Sequence, residues 1–159
     1  MAGRADFTDE EWSVLTRAPK AVALTVMAAE AGGRDEVHAE VLALDRALQA
    51  STRDSDPWIV RLVADEIHPL DSFVPPQLDF VPLMIAAIEL GGHTKSLLFA
   101  KVPAQDGKAY RQWLLALGRQ VAGAAKEGGL LGMGGARITE NEKAVLTVLS
   151  IALGIHQTE

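Results

Sequence analysis

Five glycines between residues 128 and 135, then an arginine and a helix start, give this chain its clearest segment with binding chemistry. In GGLLGMGGAR, Gly132, Gly134 and Gly135 leave backbone amides uncovered and Arg137 stands beside them. Amides just ahead of a helix N-terminus attract anions, so these four residues are candidate ligands for a phosphate or another small anionic molecule. The spacing is not that of a P-loop, because no Gly-Lys-Ser/Thr follows. It is not G-x-G-x-x-G either, because the last position is Arg137 and no strand precedes it. A tight connection with Leu130, Leu131 and Met133 tucked into the core accounts for the same residues and is the plainer reading.

Carboxylates and imidazoles form the second group. Asp65, His68 and Asp71, with Glu66 between them, offer hard oxygens and one imidazole, and Glu30 is a further candidate metal ligand for a divalent cation. The competing reading is a helix C-terminus in which His68 meets the dipole. Glu30 and Glu89 each interrupt an otherwise apolar helix. An unpaired buried carboxylate is costly, so exposure at the rim is expected for both. Glu89 and His93 are four residues apart, but Gly91-Gly92 between them should break the register. Asp35, Glu36, His38 and Glu40 read as a solvated face. No catalytic arrangement stands out: there is no cysteine, no nucleophile elbow and no HExxH pair, and no catalytic residue is assigned.

The elements that must position these residues read as helices throughout. Thr8 and Glu11, and again Thr139 and Glu142, have capping-box spacing. The first predicts a short helix through Trp12 and Leu15, interrupted at Ala18-Pro19. A second, apolar helix is expected from Pro19 to about Ala31. A third, from about Asp35 to Ala50, has Val37, Val41, Leu44 and Leu48 as its inner stripe. A fourth starts at Asp56-Pro57 with Trp58, Ile59, Leu62, Val63 and Ile67 inward. A fifth runs from Phe80 to Leu90 and ends at Gly91-Gly92. A short segment from His93 to Val102 follows, then a long helix capped by Asp106 and reaching about Glu127. The last helix, RITENEKAVLTVLSIALGI, is apolar around most of its circumference. That pattern predicts a helix enclosed by neighbours, at the centre of the fold together with the second helix.

Composition narrows the classes. With no cysteine, disulfides, iron–sulfur clusters and thiolate zinc sites are excluded, and a reducing compartment is indicated. A net charge of −6 with no basic run argues against nucleic-acid binding. No apolar run approaches the roughly 20 residues of a membrane span, and the acidic start MAGRADFTDEEW does not resemble a secretion signal. A cytoplasmic location is expected. At 159 residues the chain is about one domain long. The expected fold is all-α, a single domain over residues 7–159 of seven to eight helices, with residues 1–6 frayed. VMAAEAGG and QVAGAAKEGG echo one another, which suggests two related helical hairpins.

The phrase RITENEKAVLTVLSIALGI also resembles the second half of the helical repeat of tellurite-resistance (TerB-like) proteins, roughly Ala-Ala-x-Asp-Gly-x-Ile-x-x-x-Glu and a Leu-rich helix ending Leu-Gly-Leu. Ile138, Glu142, Leu146 and Leu153-Gly154-Ile155 match it, and Ala28-Ala29 is a counterpart for its first half. The resemblance implies an all-helical fold. Gly135-Ala136 replaces the Asp-Gly that the family uses near its metal site, which places a metal centre of that type in doubt. The leading functional expectation is a non-enzymatic interaction or adaptor module that forms a homodimer. The alternatives are a ligand-binding protein using the 128–137 loop and, behind it, a metal-dependent enzyme.

Overall fold

The computed structural model describes residues 3–30, 34–53, 56–67, 78–127 and 138–156. Within them the chain forms a 3₁₀ turn, Arg4–Asp6, and six α-helices: α1 (Asp9–Ala28), α2 (Arg34–Ala50), α3 (Trp58–Ile67), α4 (Phe80–Lys101), α5 (Ala104–Glu127) and α6 (Glu140–Ala152). The described residues contain no strand.

Both capping boxes are in place. The Thr8 hydroxyl accepts from the Glu11 amide at 3.2 Å while the Thr8 amide donates to the Glu11 carboxylate at 2.8 Å. Thr139 and Glu142 do the same at 3.2 and 2.7 Å. Asp106 is not a cap. It lies in the first turn of α5, where its carboxylate accepts from the Trp58 indole at 2.9 Å.

Two expected breaks are absent, which is why the described residues form six helices where seven to eight were expected. The first is at Pro19, inside α1. Proline has no amide to donate to the carbonyl four residues back, and an unfilled buried carbonyl is costly. That carbonyl belongs to Leu15, and the buried Tyr110 hydroxyl of α5 donates to it at 2.6 Å. A side chain from another helix thus replaces the missing donor. The second is at Gly91-Gly92, within α4. Glycine is a poor helix former, but packing overrides propensity. A Cβ on Gly91 would lie 3.2 Å from the Ala152 Cβ, so its absence lets α6 approach α4 closely.

The centre of the bundle also differs from expectation. α1 and α5 each pack against all five other helices. Gly118 of α5 lies at their junction with α6, where a Cβ would come within 2.8 Å of Leu146 and 3.1 Å of Val22. The second half of α1 is central, as expected, but α6 is not enclosed. It buries Glu142, Val145, Leu146, Leu149 and Ser150 and exposes Lys143, Ala144, Thr147 and Ile151. Leu62 of α3 is likewise exposed, while Val60 and Ala64 are buried.

Each tryptophan links two elements by its indole N–H. Trp12 of α1 donates to Glu66 of α3. Trp58 of α3 donates to Asp106 of α5, and Trp113 of α5 donates to Ser51 beyond α2 at 2.8 Å. Amphipathic rings suit this role, since the ring packs and the N–H seeks a partner. The amino-terminal segment is tied to the end of α4: Lys101 donates to the Glu11 carboxylate at 2.6 Å and to the Asp6 carbonyl at 3.1 Å.

Candidate functional site

Gly132, Gly134, Gly135 and Arg137, and the candidate ligands His68 and Asp71, lie outside the described residues. The helix start that the glycine segment leads into is described. There the Thr139 hydroxyl donates to Glu30 at 2.5 Å, joining the end of α1 to the cap of α6. The amides of Thr139 and Glu142 are already engaged by the capping box. Three carboxylates, those of Glu30, Glu140 and Glu142, belong to this end of the bundle, and a hydrogen bond from Lys143 holds the Glu140 carboxyl below its ordinary range. Negative charge of this kind suits a helix N-terminus and competes with an incoming anion.

Among the described residues no three histidine, aspartate or glutamate side chains gather as a metal site would require. Asp65 is exposed on α3, and its neighbour Glu66 is the acceptor for Trp12. Glu89 and His93 are both exposed, and because α4 continues through Gly91-Gly92 they are in helical register after all. Glu40 does not belong to a solvated face. It is buried and has a partner, whereas His38 is exposed. An apolar void of about 10 Å³ lies where Ala18, Leu90, Gly91, Leu114 and Leu149 meet. It is no larger than one water molecule, and its lining is almost wholly apolar, so nothing there holds one.

The most distinctive surface is the outer face of α4. Val81, Ile85, Ile88 and Phe99 fall at i, i+4, i+7 and i+18, which places them on one side of a helix. Their exposures are 63%, 54%, 40% and 66%. Gly92 lies on the same side, and a Cβ there would meet nothing within 4 Å. α6 packs beside α4 with Ala152 against Gly91, and the adjacent Ile151 is 70% exposed. Single exposed apolar residues are ordinary, but four on one face of a helix, with Lys95 and Ser96 set among them and Ile151 on the neighbouring helix, mark a contact surface.

One end of this row is held rigidly. The buried Arg111 of α5 donates to the Leu153 and Gly154 carbonyls at 2.8 and 3.0 Å, capping α6, and from Nε to the Gly107 carbonyl at 3.1 Å. Its guanidinium lies 4.9 Å from the centre of the Phe99 ring. Gly154 has φ 66°, and its amide and that of Ile155 close the helix on the Ile151 and Ser150 carbonyls. This is a Schellman ending, which favours glycine. The α4 face was missed in the sequence. Its signal was a helix apolar on every side with Glu89 as the sole acidic residue, a pattern equally consistent with burial inside the fold.

Comparison of the chain with protein-family models, with curated proteins and with solved structures gives no match.

Proposed function

We propose that this protein is a non-catalytic interaction module of the cytoplasm that works by associating with itself. The observation that carries the reading is the bare apolar row of Val81, Ile85, Ile88 and Phe99 on α4, flanked by Ile151. Such a row in water is unfavourable by roughly 25 cal/mol for each Å² left uncovered. The described acidic groups support the same reading through their structural roles: Glu66 and Asp106 anchor indoles, and Glu30 and Glu142 fasten the start of α6. The TerB-like phrase supports kinship of fold and adds no site. An anion-binding role for Gly132, Gly134, Gly135 and Arg137 has less support, given the carboxylates around the helix they precede.

Sedimentation velocity over a dilution series tests the proposal. The expected result is a species of twice the 17.0 kDa chain mass that dissociates on dilution. Phe99→Glu should shift it to the single chain without lowering helicity. A wild-type chain that stays single at every concentration sinks the reading.

A further inference from the structure

We infer that the surface covering α4 is α4 of a second copy, laid antiparallel across a two-fold axis near Gly92. This rests on the self-association proposed above and specifies its geometry. Identical chains most often pair by a two-fold axis, which brings one patch against itself. The patch must then be complementary to its own reversed image, and the α4 row meets that condition.

From Val81 to Phe99 the row covers about 27 Å at 1.5 Å per residue. With the axis level with Gly91, one residue before Gly92, each Phe99 falls between the Val81 and Ile85 of the other copy, and each Ile88 falls between the other copy's Gly92 and Ser96. This is a knob-and-hole arrangement. Gly92 supplies the notch: it has no side chain, and its missing Cβ direction is open space. Arg111 stacks on Phe99, so this anchor is preorganised and loses little freedom on binding. Ile151 stands beside the crossing, because Ala152 packs on Gly91.

Charge agrees with the same orientation. Glu89 and His93 occupy the same flank of α4, both exposed. In an antiparallel two-fold pair, like flanks face one another, so Glu89 of one copy lies opposite His93 of the other. In a parallel pair each of these residues would approach the opposite flank, and this match is lost.

The chain has no cysteine, so introduced thiols report geometry cleanly. Ile85→Cys and Phe99→Cys chains are prepared separately and mixed in equal amounts under mild oxidation. The mixture should yield a disulfide-linked dimer, and either variant alone roughly ten-fold less, because a disulfide needs Cα atoms within about 7 Å. Self-linking of each variant without mixed linking would show a parallel pair and overturn the inference. No linking, in a chain that still sediments as a dimer, would place the contact elsewhere and also overturn it. A single-chain wild type would remove the underlying reading instead.

Two further variants keep folding separate from association. Gly92→Leu should weaken the dimer by roughly ten-fold or more through overpacking at the crossing. It should leave the melting temperature of the dilute single chain unchanged or raised, since leucine is the better helix former. Undiminished association in this variant overturns the crossing point. Glu89→Lys should weaken association, and adding His93→Glu should restore it; failure of that restoration counts against the antiparallel orientation.

Discussion

The contact between Tyr110 and Leu15 shows how one side chain sets the length of a helix. The hydroxyl fills the acceptor that Pro19 leaves empty, and burial raises the tyrosine well above its ordinary value of 10.0. Tyr110→Phe removes the donor and leaves a buried carbonyl alone, at a cost of about 2 kcal/mol. In a Pro19→Ala background, residue 19 has its own amide to offer, so the same change should cost about half as much. Urea melts of the four proteins form a double-mutant cycle, and equal costs in both backgrounds would contradict the account. This pairing was not legible in the sequence. Local rules correctly identify proline as a helix breaker, but the compensating donor lies 91 positions away along the chain. Glu40 was misread as solvated and Asp106 as a cap for the same reason, since the partner of a carboxylate is known only once its neighbours are.

At the scale of elements, the sequence was most informative where a helix is fixed by its own residues. The Thr8–Glu11 and Thr139–Glu142 boxes and the α2 stripe ending in Leu44 and Leu48 stand where their spacing placed them. It failed where a neighbour decides the outcome. Gly91 reads as a stop and acts as a notch for Ala152. α6 reads as enclosed, yet nothing in the described chain covers Ile151. Periodicity reports that a face is apolar, not what lies over it. The glycine segment at 128–137, the leading candidate by motif, falls outside the described residues. The end of α6 provides a direct test of helix capping between elements. Arg111→Met removes both hydrogen bonds from Nη1 to the Leu153 and Gly154 carbonyls and should cost about 2 kcal/mol in denaturant unfolding, given the strength of charged donors. Arg111→Lys should recover only part of it, because an ammonium lacks the planar fork that reaches several carbonyls at once. Full recovery by lysine would show that charge at the helix end, not donor geometry, is responsible.

At the scale of the whole molecule, the ends of distant elements are fastened by exposed charge and the middle by apolar packing. Lys101 holds Glu11 and so closes the start of α1 onto the end of α4. Its hydrogen bond keeps the Glu11 carboxyl below its ordinary 4.5. The unfolded chain lacks the pair and takes up the proton first. The stabilisation is therefore whole above the unfolded value and drains away as pH falls through the folded one. Melting temperatures of wild type and Glu11→Gln should differ most near neutrality and converge as pH falls below 4.5 and through the lowered folded value. A difference that persists unchanged in acid would assign the effect to packing. The Tyr110–Leu15 join between α5 and α1 is uncharged over this pH range and has no such dependence.

The borrowed donor at Leu15 has one more consequence, for the order in which the molecule assembles. Residues 9–28 cut out as a free peptide would meet Pro19 with no remedy and bend or fray at that point. Only after the segment carrying Tyr110 has been made and has docked does α1 become a single rod. A join between residues 95 positions apart thus completes α1, and α1 in its finished form is a product of tertiary folding, not a seed for it.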